Sequence, residues 1–360
     1  MPDNAAGPDI RLYPLTFEPI YKAKVWGGDA MTTLGRSLPD TPEGEGIGES
    51  WELADLATTA KSGGGGNPEH SVVRHGPLAG KRLHDLCVAY GPGVMGGLDF
   101  NQATDGFPLL LKFLDANANL SVQVHPSPGY AEQHDDAYLK SEAWYIVDRQ
   151  PGAVIYKGIK EGVTPDQLRA ALEANTDEAV VPLMVTVPVE PGDCHYLPSG
   201  TCHALGAGVL VAEVQTPSDT TFRVYDWGRV GRELHVDQAI ACIRFAPPDV
   251  AEYEKRVHMN TKHGEVERLV LCEHFRVDRV RCDAGAEEAI TGDQPLVWMV
   301  LDGGGTLTCN ADHDGAEVAF SRGDTVFVPP GAENVRFTVG DGGATWLEVS
   351  FPQAGAVRLA

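Results

Sequence analysis

Residues 120–126, LSVQVHP, alternate strictly: Val122 and Val124 fall on one face of an extended chain, and Ser121, Gln123 and His125 on the other. Side chains two residues apart on one strand have their separation set by the pleat. Gln123 and His125 therefore project together, the Val side chains facing a packed layer between sheets and the polar pair facing a barrel interior. Two further residues complete the set: Glu142 opens the strand-like run EAWYIV (142–147), and His203 closes GDCHYLPSGTCH (192–203). One amide oxygen, one carboxylate and two imidazoles make a mixed nitrogen and oxygen set that suits Zn²⁺ and, less selectively, Mn²⁺, Co²⁺ or Fe²⁺. A lone strand histidine is more often a hydrogen-bonded structural residue, and most glutamates are solvated. Q-x-H on one strand combined with a histidine at the end of a turn motif raises the metal reading above that. Taken alone, these residues stop at "metal site".

The elements that must position these side chains are short strands punctuated by Gly, Pro, Asp and Asn, so the chain is expected to be mainly β with a few short helices. Helical pattern covers Leu83–Tyr90, a stretch around 130–138, Pro165–Ala174 with Thr164 as N-cap, and 235–240. KSGGGGNP (61–68) reads as a loop tip. An internal repeat decides the architecture: GDCHYLPSGTCH (192–203) and GDTVFVPPGAEN (323–334) share G-D-x(4)-P-x-G-x-x-[H/N]. In each copy a Gly-Asp turn opens a strand and a Pro-x-Gly turn closes it, which predicts two β-barrels of similar design. Asn334 stands where His203 does, so no metal is expected in the second.

At 360 residues, with 42% hydrophobic and 22% charged residues, the chain has the composition of a globular protein of two or three compact units. Its net charge of -23 opposes binding to nucleic acid or to an anionic membrane surface, although a few placed cations can still hold a small phosphorylated substrate. The cysteines number seven, form no CxxC pair, and predict reduced thiols and a cytoplasmic setting. MPDNAAGPDI has neither a basic n-region nor an apolar h-region, and no long uncharged apolar run follows.

At the same residues the sequence closely resembles the type I mannose-6-phosphate isomerases, a cupin family. The resemblance lies in FPLLLKFLDANANLSVQVHP (107–126), KSEAWYIVD (140–148), PSGTCHAL (198–205) and EVQTPSDTTFRVYDWGR (213–229), and also in YKAKVWGG (21–28) and GESWELAD (48–55). It implies two cupin-type jelly-roll barrels: a catalytic unit at 1–243 with helical insertions and a degenerate one at 244–360. It further implies one Zn²⁺ per chain on Gln123, His125, Glu142 and His203. Arg223, Lys140 and Asp219 become catalytic residues, and Lys112, Ser121, Trp26 and Glu49 contacts to the sugar phosphate. Ser141 departs from the proline or threonine of many relatives, which bears on substrate range rather than on chemistry.

The implied reaction, mannose 6-phosphate to fructose 6-phosphate, moves a proton between C1 and C2 through an enediol-type intermediate whose oxygen charge needs a cation beside it. Lys112 lies in the apolar run 109–114, where an unpaired ammonium is costly, so a partner is expected for it. Lys140 can act as base only in its neutral form; otherwise it binds an anion and a carboxylate or metal-bound water is the base. Arg223 and Asp219 read alternatively as a surface ion pair. His195, Cys202, Trp144 and Trp227 are read as packing residues. Two other functions compete: another metal-dependent cupin enzyme, which would favour a two-histidine-one-carboxylate site without Gln123 and the cations, and a non-catalytic sugar-binding cupin, which would have lost ligands. Oligomeric state is not encoded legibly.

Overall fold

The computed structural model of the chain describes residues 10–63 and 66–352. Most of the N-terminal segment MPDNAAGPDI, and Gly64 and Gly65 of the KSGGGGNP loop, lie outside the described residues, and with them the readings made there.

Two antiparallel sheets face each other in the first unit. One runs, in spatial order, Cys194–Leu197, Glu142–Arg149, Val209–Gln215, Leu110–Ala116, Gly46–Leu53, Ile20–Lys24; the other runs Met184–Pro188, Val154–Ile159, His203–Leu205, Val122–Val124, Phe222–Tyr225. Leu110–Ala116 and Val209–Gln215 are buried along their whole length, which is why they read as near-continuous apolar runs instead of alternating. Leu114, Trp144, Ile146, Ile155, Leu205 and Val211 form one buried apolar cluster between the sheets. Mainly β sheets with a few short helices agree with the expected jelly-roll architecture.

Val122 and Val124 depart from expectation in one respect. They pack not between the sheets but outward, against a helical layer that includes Leu168, Leu172, Ala239 and Cys242. The consequence for their neighbours is as expected, because the strand's other face then turns inward. Helix Pro165–Ala174 has the expected limits, and its capping box pairs Thr164 with the Gln167 backbone N–H while Gln167 reaches back to the Thr164 N–H. Helix Leu83–Tyr90 also keeps its expected limits, and the predicted 235–240 helix is Val236–Cys242 with His235 at its N-cap. The stretch around 130–138 yields only Pro128–Ala131, capped by Ser127; the chain then turns through His134 to Ala137.

The second unit is built on a single large sheet, in which Leu296–Thr308 and Arg336–Ser350 are the long central strands. Thr325–Val328 of the second repeat copy pairs with Leu296–Thr308, as Cys194–Leu197 of the first pairs with Glu142–Arg149. The N-terminal strand Leu15–Thr16 joins this second sheet, with Leu15 opposite Phe327. Phe107 meets Phe327 and Phe351 edge-on, at 5.5 and 6.0 Å between ring centres, so a continuous apolar core joins the halves of the molecule. No helix among the described residues is long and apolar enough to cross a membrane.

Candidate metal centre and substrate cleft

Strand register assembles the site. Gln123 is the cross-strand partner of His203 on one side and of Arg223 on the other, which sets these three side chains in a row on the inner face of their sheet. Glu142 comes from the opposing sheet. His125 stands two residues beyond Gln123, past the strand end. All four expected ligands converge: His125 Nε2 is 3.3 Å from Glu142 Oε2, His203 Nε2 is 3.2 Å from Glu142 Oε1, and the Gln123 side-chain amide is 3.3 Å from His203 Nε2. Since amide oxygen and nitrogen are interchangeable by a half-turn, Gln123 can offer its oxygen to the same point.

The tautomers follow from hydrogen bonds to groups that can only accept. His125 Nδ1 faces the Thr220 carbonyl oxygen at 3.0 Å and His203 Nδ1 faces that of Thr201 at 2.8 Å, so both Nδ1 atoms carry and donate the hydrogen. Burial, with the Lys140 charge beside it, pulls the His125 imidazole down to about 3 despite Glu142, so this ring is neutral near pH 7. Glu142 is held well below the usual carboxylate range: burial pushes it up, but Lys140 and the two histidines outweigh that. The imidazole lone pair of His125 therefore points at a carboxylate. His125 Nε2 and Glu142 Oε1 are buried without a hydrogen-bond partner and Glu142 Oε2 has only the Lys140 ammonium at 3.1 Å, an arrangement that a further cation among them would relieve. The donor set fits a divalent ion. Trp144 packs edge-on against His203 at 5.3 Å, a packing role as expected, and its indole N–H donates to Glu213 at 2.9 Å.

Beside these ligands opens a cleft of about 380 Å³. Lys140 is buried with Nζ 3.1 Å from Glu142 Oε2. Lys112 finds the partners its burial demands: Nζ lies 3.4 Å from Glu213 and 3.6 Å from Glu49. Burial pulls the Lys112 ammonium down, but the two carboxylates overcome this and its pKa is raised, so it is a fixed positive charge. Glu49 is held low by Lys24 and Lys112 against its own burial, and accepts from Trp51 Nε1 at 2.7 Å. Ser121 Oγ donates to Gln123 Oε1 at 3.4 Å, and Trp26 forms part of the wall.

Arg223 Nη1 donates to the Glu233 carbonyl at 2.9 Å, whereas its buried Nε has no partner. Burial and then the charge of neighbouring Arg232 lower its pKa, Arg232 being a second cation on this wall. Asp219 lines the same cleft but is not spent on Arg223: its oxygens accept the N–H of Ala60 at 3.0 Å and of Gly66 at 2.8 Å, clamping the glycine-rich loop. A surface ion pair is thus not what these two form.

Sequence reasoning passed over Trp51, Lys22, Lys24, Glu213 and Arg232, all of which line the cleft. Lys22 and Lys112 lie 5.0 and 4.9 Å from the Trp51 ring centre. Alternation within GESWEL puts Glu49 and Trp51 on one face, a signal that was available; that Lys112 is opposite Trp51 needed the strand register.

Comparison with known proteins gives a consistent result. The family described as phosphomannose isomerase type I, catalytic domain, matches residues 15–152. The chain is 35% identical over 327 residues to the mannose-6-phosphate isomerase ManA of Bacillus subtilis (strain 168), covering 88% of this chain and 93% of that one. It is 32% identical over 322 residues to the mannose-6-phosphate isomerase of Streptococcus mutans serotype c, covering 88% and 92%. The crystal structure of the mannose 6-phosphate isomerase from Bacillus subtilis superimposes with a TM-score of 0.77 at 31% identity, over 94% of this chain and 99% of that one.

Proposed function

The chain belongs to the type I mannose-6-phosphate isomerases, metal-dependent enzymes that interconvert mannose 6-phosphate and fructose 6-phosphate, and from that premise we propose that Zn²⁺ is its metal, held by Gln123, His125, Glu142 and His203. The observation that carries the ligand assignment is the convergence of His125 Nε2, His203 Nε2 and the Glu142 carboxylate in a buried site where His125 Nε2 and Glu142 Oε1 have no hydrogen-bond partner. Bound there, the ion would supply positive charge against the oxygen charge that the reaction builds up.

The chain's own residues do the rest. Arg223 offers the guanidinium hydrogens that its surroundings leave unspent to the substrate oxygens on C1 and C2. Lys112, kept charged by Glu49 and Glu213, and Ser121 bind the phosphate, on a wall to which Lys22, Lys24 and Arg232 add positive charge in a chain of net -23. Trp26 and Glu49 shape the sugar subsite. Asp219 holds Ala60 and Gly66 at the cleft by accepting their backbone N–H groups. Lys140, placed against Glu142 beside the ligand set, is the residue positioned to pass the proton from one carbon to the next. A second candidate base is Glu213, a buried carboxylate that lines the same cleft with Oε1 3.4 Å from Lys112 Nζ.

Residues 1–243 carry this chemistry and 244–360 the degenerate unit. Cytoplasmic residence accords with all seven cysteines being unpaired. The test is a coupled assay with mannose 6-phosphate before and after chelation. Turnover is expected to vanish on chelation and to return with Zn²⁺ and less fully with Mn²⁺ or Co²⁺; turnover indifferent to chelation contradicts the reading.

A further inference from the structure

A second group of metal-type donors lies away from the cleft interior, where Asp55, His70 and His84 bring one ligand atom each to within 4.8 Å of one another. Cross-strand pairing puts Asp55 directly opposite His70, and His84 enters from the first turn of helix Leu83–Tyr90. Asp55 is fully buried, and its Oδ2 accepts the Phe107 backbone N–H at 2.8 Å, which orients the carboxylate so that Oδ1 faces the histidines. His70 Nδ1 lies 2.6 Å from Oδ1 and His84 Nδ1 lies 3.3 Å from the same atom. Only the first contact is a hydrogen bond. His84 Nδ1 is buried with no partner, although its ring is held in place by stacking on Phe100 at 5.7 Å between centres.

We propose that Asp55, His70 and His84 bind a second divalent transition-metal ion, distinct from the one in the cleft. His84 Nδ1 faces the carboxylate oxygen at 3.3 Å without making a hydrogen bond to it, whereas a cation among the three groups accepts a lone pair from each. Ligand atoms about 2 Å from a tetrahedral ion stand about 3.3 Å apart, the separation already seen for His84. The His70 contact widens as the ring changes tautomer, its hydrogen moving from Nδ1 to Nε2 so that the Nδ1 lone pair is free for the ion. Two imidazoles and one carboxylate select Zn²⁺, Co²⁺, Ni²⁺ or Cu²⁺ over Mg²⁺ or Ca²⁺, which favour all-oxygen shells. Cys87, buried and three residues beyond His84 on the helix, has its thiol pushed up by burial and by the Asp55 charge, so sulfur stands close by as well. Since Glu69 precedes His70 and pairs with Lys22, which lies over Trp51, such an ion would brace the cleft wall without touching substrate.

Metal-free protein titrated with Zn²⁺ by calorimetry, with content checked by elemental analysis, tests this. Wild type is expected to take up two equivalents per chain, His84→Gln one with turnover kept, His203→Gln one with turnover lost, and the double variant none. One equivalent in wild type that disappears in His203→Gln leaves the cleft reading intact and overturns this one; two equivalents in His84→Gln overturn it as well. If His84→Gln fails to fold, His203→Gln alone decides: it must bind one equivalent and melt higher with Zn²⁺ added, and no uptake overturns the proposal.

Discussion

The two copies of the G-D-x(4)-P-x-G turn do opposite things with similar sequences. In the first, the chain leaves the turn straight into strand His203–Leu205, and His203 is buried on the inner face beside Gln123. In the second, Asn334 takes a left-handed conformation (φ 53°), is exposed, and the next strand starts only at Arg336. The interiors diverge accordingly. Where the first unit keeps polar ligands and a cleft, the second packs Trp298 on Trp346 at 4.3 Å between ring centres, with Phe320 and Phe337 edge-on. One scaffold thus serves two ends: an open lumen that retains buried charge for chemistry, and a lumen filled with aromatic rings for stability. A turn motif marks the architecture, while the residue three positions past its last glycine and the filling of the interior mark the function.

Three variants press on this contrast. Trp298→Ala should cost the most, about 3–5 kcal/mol of unfolding free energy from the cavity left in the second lumen. Chemical denaturation measures it, and the metal content should not change; metal loss would show that the two lumens are not independent. Arg223→Ala should spare both fold and metal but cut turnover on the order of 10²–10³-fold, as loss of a charge-stabilising donor does. Equal loss of metal would undo its separation from the ligand set.

Glu348→Gln tests a buried acid beside the aromatic cluster, which accepts the Trp298 indole N–H at 3.1 Å. Burial, and then the Asp278 charge, push Glu348 up to about 7 from 4.5. A carboxyl with a folded pKa above its unfolded one contributes stability below about pH 4.5 that is lost as pH rises through about 7. Glu348→Gln should therefore be more stable than wild type at pH 8, by about 1–3 kcal/mol, with the gap closing toward pH 4.5. A gap that is constant with pH would mean that the acid is ionised in the folded state.

Much of the site was legible in the sequence because its signals are local. Alternation in LSVQVHP gave Gln123 and His125 a common face, and the turn motif located His203. Thr164 with Pro165 marked a helix start that the backbone obeys. What stayed hidden is set at long range. The Thr201 and Thr220 carbonyls that fix the histidine tautomers are backbone atoms and leave no trace in residue type. Glu213, Trp51 and Lys112 meet through register across three strands. Asp55, His70 and His84 are spread over thirty positions without a spacing motif, and only the pairing of two very short strands with the helix start brings them together. The Val122 and Val124 face was read correctly as apolar, yet its packing partner, a helical layer rather than a sheet, depends on where distant helices dock.

The central claim is that four side chains from facing sheets hold one catalytic ion, and the most direct measurement is the metal content of purified His203→Ala beside wild type, with isomerase turnover and circular dichroism on the same samples. The account predicts that the variant stays folded, loses the catalytic equivalent of metal, and turns over mannose 6-phosphate on the order of 10³–10⁴-fold more slowly. A folded His203→Ala protein with full metal content and wild-type turnover would contradict it.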